Sequence, residues 1–286
     1  MKVPNNKLSS VKDFFFRELS LFDQAEVKRF FEFLCEAWLG LRKSDLILNP
    51  DQELSESEIL KFFYGIKDLK MNRPVQYVAG LTWFYGLEIG VSEGVLIPRP
   101  ETEELVDWIL NDCSVVSLIA DVGTGSGCIP LALKSNLSQA KVLGLDISKE
   151  ALKIAMKNAS RLNLDVEFSQ FDVLNWRRFS FEQKFDVIVS NPPYIPNSDK
   201  ELMDENVLSY EPDLALFVPN NSPLLFYKSI ADFAKLNLKV GGALFFEIHE
   251  EFGQQTLEML QGKGFSNLEL RQDLQGKDRM IKAIYQ

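Results

Sequence analysis

Two periodicities divide the chain. Up to about residue 70, apolar residues recur at helical spacing between Glu, Lys and Arg. They are Phe14, Phe15, Phe16 and Leu19, then Phe30, Phe31, Phe33, Leu34, Trp38 and Leu41. Ser55-Glu56-Ser57-Glu58 ahead of Ile59, Leu60, Phe62 and Phe63 has the form of a capping box opening a further helix. Residues 1–72 therefore read as a small helical domain with its own aromatic core. From about residue 115 the pattern changes to short apolar runs alternating with amphipathic stretches. Strands are expected at 117–121, 141–145, 166–169, 185–190 and 242–248, and helices at 128–135, 149–161, 222–238 and 250–262. Residues 267–274 and 280–285 read as a two-stranded finish. Such alternation predicts an α/β fold, with a mostly parallel sheet covered on both faces. Between the two regimes, residues 73–100 read as a linker. Its aromatics Trp83, Phe84 and Tyr85, bracketed by Gly80 and Gly86, suggest a hairpin, and Pro98-Arg99-Pro100 a stiff extended segment. Thr102 reads as the cap of the helix that follows, and 101–286 as the second domain.

The run Phe185–Ser190 ends on Asn191-Pro192-Pro193-Tyr194. Neither proline has an N–H, so the strand cannot continue its ladder and the chain must turn out at its carboxyl end. Open α/β sheets bind ligands there. Asn191 brings an amide that both donates and accepts, the carbonyls beside the prolines lack ladder partners, and Tyr194 is an aromatic plate on a stiff backbone. Together they suit a flat, polar NH₂-bearing group. A plain strand-to-loop turn is the alternative for these residues alone.

A second constellation narrows the choice. Asp121-Val122-Gly123-Thr124-Gly125-Ser126-Gly127 follows the first strand of the second domain and precedes a helix. Glycines there let a ligand approach the backbone. Asp146 ends the next strand, about 20 residues on, where a carboxylate can accept from both ribose hydroxyls. Asp172 ends the third strand as a candidate acceptor for an adenine amino group, with Val173 able to cover the ring. The spacing is not that of a dinucleotide site, and no Walker lysine follows. A cofactor with ribose and adenine but no pyrophosphate fits, and S-adenosylmethionine is one.

Composition bounds the rest. The 286 residues carry a net charge of −10, with 46% apolar and 25% charged residues. That balance argues against direct nucleic-acid binding, which needs clustered Lys and Arg. No apolar stretch approaches the roughly 20 residues of a membrane span, and the amino terminus has no signal core, so a cytoplasmic protein is expected. Three scattered cysteines and the single His249 supply no metal set. The cysteines read as small buried residues, and His249, beside Glu247, Glu250 and Glu251, as part of a solvated turn.

The glycine loop, Asp146 and Asn-Pro-Pro-Tyr together resemble the class I S-adenosylmethionine-dependent methyltransferases that alkylate planar nitrogens. Three further stretches, Arg73–Gly80, Leu96–Glu103 and Tyr210-Glu211-Pro212 followed by Leu214–Leu216, and the helical first domain resemble the PrmC/HemK family of release factor glutamine methyltransferases. The resemblance covers nearly the whole chain, although the family tends to have glycine where His249 stands. It implies a Rossmann-like seven-stranded sheet with an antiparallel last pair and a substrate-recognising helical domain. It implies methylation of the side-chain amide nitrogen (N5) of the glutamine in the Gly-Gly-Gln motif of class I peptide chain release factors. S-adenosylmethionine would leave as S-adenosylhomocysteine. The implied cofactor site comprises Gly123, Thr124, Gly125, Ser126, Gly127, Asp146, Asp172, Val173 and Asn191. Asn191, Pro192 and Tyr194 would be catalytic, with Pro193, Arg99 and Glu211 also at the substrate. A glutamine methyltransferase acting on a ribosomal protein and a nucleic-acid adenine-N6 methyltransferase share parts of this set and stand as alternatives.

Overall fold

A computed structural model describes residues 5–113 and 115–286, which form two compact units. One holds the amino-terminal residues through Thr82 together with Asp204–Tyr210, and the other holds Trp83–Met203 and Glu211–Gln286.

The first unit is helical: α1 (Leu8–Glu18), α2 (Gln24–Leu39), α3 (Lys43–Leu48), α4 (Glu56–Leu69) and α5 (Val75–Ala79). Local chemistry sets the helix ends. The Asp23 carboxylate accepts from the Glu26 N–H at 2.9 Å to open α2, and Gly40 closes it in the left-handed conformation. The Ser55–Glu58 capping box opens α4 as its spacing predicts. The apolar stripes meet in an aromatic core. Phe31 packs edge-on to Phe15 at 5.4 Å between centroids and lies 5.5 Å from Phe62, against which Trp38 packs at 5.1 Å. Burial of these large side chains supplies most of the favourable term, each edge-to-face pair adding roughly 0.5–1.5 kcal/mol. A later segment joins this unit: the Tyr210 hydroxyl donates to the Met71 carbonyl at 2.7 Å.

The chain continues through a two-stranded hairpin, β1 (Leu81–Phe84) and β2 (Leu87–Gly90), turned by Tyr85-Gly86 with φ positive at both positions. Next comes α6 (Pro100–Asp112), with Pro100 rather than Thr102 at its start; Arg99 is the residue before it. Thr102 is therefore not a cap, and its hydroxyl is used elsewhere. The sheet follows as β3 (Leu118–Val122), α7 (Cys128–Asn136), β4 (Lys141–Asp146), α8 (Lys149–Leu162), β5 (Glu167–Gln170) and β6 (Phe185–Ser190). After a short two-residue ladder, β7 (Ile195–Pro196), come α9 (Glu205–Tyr210), α10 (Asp213–Leu216) and β8 (Phe217–Val218), the partner of β7. The chain ends with α11 (Leu225–Asn237), β9 (Leu238–Glu247), α12 (Gly253–Gly262), β10 (Phe265–Gln272) and β11 (Asp278–Tyr285).

Seven strands pair in the order β10-β11-β9-β6-β3-β4-β5. All neighbours are parallel except the pairs made by β11, which runs against both β9 and β10. This is the Rossmann-like methyltransferase sheet expected. β3, β6 and β9 are central, and apart from the exposed start of β9 at 239–241 most of their side chains are buried, as in sheets covered by helices on both sides. Phe185, Tyr227, Phe233 and Phe246 anchor one core layer. The strand order reverses direction between β3 and β6, so the carboxyl ends of these two strands flank the switch point where such sheets hold ligands.

Candidate active site

The glycine loop leaves β3 at that switch point. The amides of Gly123 and Thr124 both donate to the Leu145 carbonyl, at 2.8 and 3.0 Å, so the loop is held against the end of β4. Gly123 and Gly125 have φ of 81° and 55°, a region that penalises side chains. Buried Asn158 on α8 fixes the far side of the loop. Its Nδ2 donates to the carbonyls of Ser126 (2.9 Å) and Gly90 (3.0 Å), and its Oδ1 accepts from the Gly90 N–H at 2.8 Å. Opposite, β6 ends beside β3 through the Ser190 hydroxyl, which donates to the Val122 carbonyl. A Cβ added to Gly123 would stand 3.9 Å from the Asn191 carbonyl oxygen. Glycine loop and Asn-Pro-Pro turn thus face each other across one opening.

A cavity of about 190 Å³ occupies this opening. Gly123, Gly125, Asp146, Asp172, Val173, Asn191, Pro192 and Pro193 line it, with apolar wall from Leu96, Phe171, Phe226 and Ile230. The Asp146 carboxylate accepts from the N–H of Gly125 at 2.8 Å and of Ser148 at 2.9 Å. Burial raises its pKa, and the backbone donors pull it down in part. Asp172 accepts from the Leu174 N–H (2.9 Å) and the Asn175 side-chain amide (2.7 Å). Both residues line the cavity, and their oxygens can accept further hydrogen bonds beyond these. Thr124, Ser126 and Gly127 do not line the cavity. A Cβ on Gly127 would meet Ala155 Cβ at 3.0 Å, so this glycine allows close packing of loop on helix. Behind the loop lies fully buried Asp121. Among the described residues its two carboxylate oxygens, and the hydroxyls of Thr124 and Ser126, have no hydrogen-bond partner. Burial pushes its pKa up to about 7, and the charge of Asp146 acts in the same direction. An apolar slot with two carboxylate acceptors and an open glycine floor fits a ribose- and adenine-bearing cofactor.

The turn itself is held from behind. The Asn191 Nδ2 donates to the Thr102 hydroxyl oxygen at 3.1 Å, and that hydroxyl donates to Glu247 Oε2 at 2.6 Å. Among the described residues, Asn191 Oδ1 accepts no hydrogen bond, which leaves it for a donor in the cavity. Tyr194 is turned away from the cavity. Its hydroxyl donates to Glu247 Oε1 at 3.2 Å, and it lines a separate depression with Ile195, Asp199, His249 and Arg279. Burial raises the pKa of both Tyr194 and Glu247. Arg99 and Glu211 come together as an ion pair at 2.6 Å, and Glu211 also accepts from the Ile97 N–H at 3.1 Å. They join the Pro-Arg-Pro segment to the turn at Pro212, itself a cavity residue. His249 stands at the strand-to-helix turn expected, its Nδ1 accepting from the Glu251 N–H at 3.2 Å, but its ring is half-buried rather than solvated, 6.0 Å from Tyr194 and 5.1 Å from Phe252, and burial lowers its pKa. Cys35 and Cys128 are buried and Cys113 is partly buried, all three as free thiols. Thr102 and Glu247 were not among the site residues expected from sequence. The only hint was a threonine and a glutamate at strand and helix ends, a signal too common to use.

The PrmC N-terminal domain family matches residues 18–80 and a methyltransferase domain family matches residues 117–247. The release factor glutamine methyltransferase of Flavobacterium psychrophilum is 44% identical over 271 residues, covering 93% of this chain and 94% of that protein. The chain belongs to the release factor glutamine methyltransferase family. The family member from Bacteroides thetaiotaomicron is 40% identical over 263 residues, covering 92% of this chain and 94% of its own. A solved methyltransferase from Pyrococcus furiosus shares the fold, with a TM-score of 0.51 at 16% identity over 80% of this chain and 98% of that one. Among the described residues no helix is long and apolar enough to cross a membrane, and no group of three or more His, Cys, Asp or Glu side chains could hold a metal ion.

Proposed function

We propose that this protein methylates the side-chain amide nitrogen (N5) of the glutamine in the Gly-Gly-Gln motif of class I release factors, with S-adenosylmethionine as methyl donor. The observation that carries the proposal is the anchoring of Asn191. Its NH₂ is committed to Thr102, and its carbonyl oxygen is left as an acceptor beside the glycine loop. Family membership supplies the substrate.

Gly123, Gly125, Asp146, Asp172 and Val173 would hold the cofactor directly, with Thr124, Ser126 and Gly127 shaping the loop from within. When bound, S-adenosylmethionine supplies an electrophilic methyl group on a good leaving group. What remains for the chain is geometry and electrostatics. An amide nitrogen is a poor nucleophile because its lone pair is delocalised into the carbonyl. Asn191 Oδ1 and the Pro192 carbonyl accept the two N–H bonds of the glutamine amide. Those two acceptors orient the nitrogen, favour its pyramidal form and stabilise the positive charge that develops on it. No general base acts before transfer, and the extra proton leaves the nitrogen afterwards to solvent. Pro193 stiffens the turn. Tyr194 fixes the turn through Glu247 and borders the site on the side away from the cofactor cavity. Arg99 and Glu211, paired to each other, shape the rim. The protein works in the cytoplasm, where its substrate is made, and binds no nucleic acid directly.

Incubation with labelled S-adenosylmethionine and, separately, release factors, ribosomal proteins and DNA tests this. Label is expected in the release factor, at the glutamine of its Gly-Gly-Gln motif. Label in ribosomal protein or DNA with none in the release factor would overturn the reading.

A further inference from the structure

The first and last residues of the Asn-Pro-Pro-Tyr turn are tied to one buried carboxylate. Glu247 is the last residue of β9, one step beyond the pairing of Ser190 with Phe246, so its side chain stands beside the turn that begins at Asn191. Glu247 is 1% exposed and Thr102 3% exposed. Neither can exchange its partners for water. Glu247 Oε2 takes the Thr102 hydroxyl proton (2.6 Å) and Oε1 takes that of Tyr194 (3.2 Å), and the Glu247 carbonyl accepts from the Tyr227 hydroxyl (3.2 Å). Once the Thr102 proton is committed to the carboxylate, its oxygen has only lone pairs to offer. The group facing it at 3.1 Å must then be a donor, so the Asn191 amide presents its NH₂ to Thr102. The direction of a side-chain amide, otherwise a matter of two near-equal flips, is thereby fixed.

We infer that Thr102 and Glu247 are positioning residues for methyl transfer: the relay Asn191–Thr102–Glu247 locks the Asn191 amide with its oxygen toward the substrate nitrogen. The inference rests on the reading of Asn191 as an acceptor for the glutamine amide. A flipped Asn191 would point an NH₂ at the substrate NH₂, two donors face to face, and the oriented acceptor would be lost. Thr102 is on α6, Glu247 on β9 and Asn191 after β6, so packing of three elements sets the flip.

The test compares Thr102→Val, Thr102→Ser, Asn191→Ala and the Thr102→Val/Asn191→Ala double variant, in single-turnover methylation of a release factor with cofactor binding measured alongside. Valine keeps the shape and removes both hydrogen bonds, while serine keeps both. Thr102→Val should slow turnover by roughly 10- to 100-fold, less than the ~10²–10³-fold that loss of an electrostatic partner itself can cost. Cofactor affinity should stay unchanged, Thr102→Ser should retain near-native turnover, and the double variant should be no slower than Asn191→Ala. A merely structural role would not give serine rescue, unchanged cofactor affinity and non-additivity together. Native-like turnover by Thr102→Val, with Asn191→Ala slow, overturns this inference and leaves the proposed function standing. Native-like turnover by Asn191→Ala removes the amide-holding reading itself. Should Thr102→Val fail to fold, the wild-type protein still decides. The Asn191 side-chain amide protons, assigned by their loss in Asn191→Ala, should include one protected from solvent exchange, and rapid exchange of both would overturn the relay.

Discussion

Replacing Asp146 by alanine removes a carboxylate that has two duties. It already accepts from Gly125 and Ser148, holding the glycine loop against the end of β4, and it borders the cavity where the ribose hydroxyls of the cofactor would donate. Hydrogen bonds to a charged acceptor are worth about 1.5–3 kcal/mol, and an ordinary backbone bond about 1 kcal/mol. Loss of the ribose contact and a looser Gly125 together should cost roughly 2–4 kcal/mol of cofactor binding, or about 30- to 700-fold in Kd. Asp146→Asn keeps one oxygen but turns the other into a donor, so its loss should be intermediate. Burial raises the Asp146 pKa. Cofactor affinity in the wild type should therefore begin to fall on acidification at a higher pH than an ordinary carboxylate would give, because protonation removes the acceptor, and Asp146→Ala should lack that fall. Isothermal titration with S-adenosylmethionine, beside melting curves without ligand, makes the measurement. Unchanged affinity in a folded Asp146→Ala protein would show that the ribose is held elsewhere.

Three other outcomes follow from the structure. Phe31→Ala empties a site buried between Phe15 and Phe62 and should lower the stability of the helical unit by about 3–5 kcal/mol in denaturant titration, and a loss under about 1 kcal/mol would contradict the packing described. Asp121 is held near pKa 7 by burial, above its ordinary 3.8, so the folded state keeps a proton the unfolded chain has released. Its contribution to stability falls as pH rises from about 4 to about 7, by up to ~1.4 kcal/mol per pH unit. Asp121→Asn should remove that slope, and parallel stability curves for variant and wild type would refute it. Every residue lining the cavity between the glycine loop and the Asn-Pro-Pro turn lies in the second unit. A chain lacking residues 1–80 should therefore bind cofactor with native affinity yet methylate an intact release factor poorly at limiting substrate, and equal turnover would deny the helical unit a part in recognition.

What the sequence disclosed and what it withheld have physical reasons. The glycine loop, Asp146 and the Asn-Pro-Pro turn are legible because glycine and proline act on their own backbone, so the consequence lies within a few residues of the cause. The alternating apolar runs placed the individual strands, while their union in one seven-stranded sheet with an antiparallel last pair was implied by the family resemblance and their order came only from the structure. β9 was read late, from 242, because Lys239, Val240 and Gly241 are exposed and break the apolar run although the strand has begun at Leu238. Thr102 looked like a helix cap because threonine near a helix start usually is one. Its actual partners, Glu247 and Asn191, are 145 and 89 positions away, and no local pattern encodes such a meeting. Such separation also hid the partner of the Tyr194 hydroxyl, which donates to Glu247, 53 positions away. Residues 204–210 carry no sequence signal that ties them to the amino-terminal helices, and only tertiary contact assigns them to the helical unit.

In the proposed mechanism Asn191 holds and aims the substrate amide, which single-turnover methylation of a release factor by Asn191→Ala and Asn191→Asp, with cofactor affinity measured in parallel, puts to the test. Alanine removes the acceptor and should cost about 10²–10³ in rate while leaving cofactor binding largely in place. Aspartate keeps an acceptor of the same size but adds a charge that costs desolvation, and it cannot donate to Thr102, so it should retain partial activity. Turnover by Asn191→Ala close to that of the wild type would contradict the account.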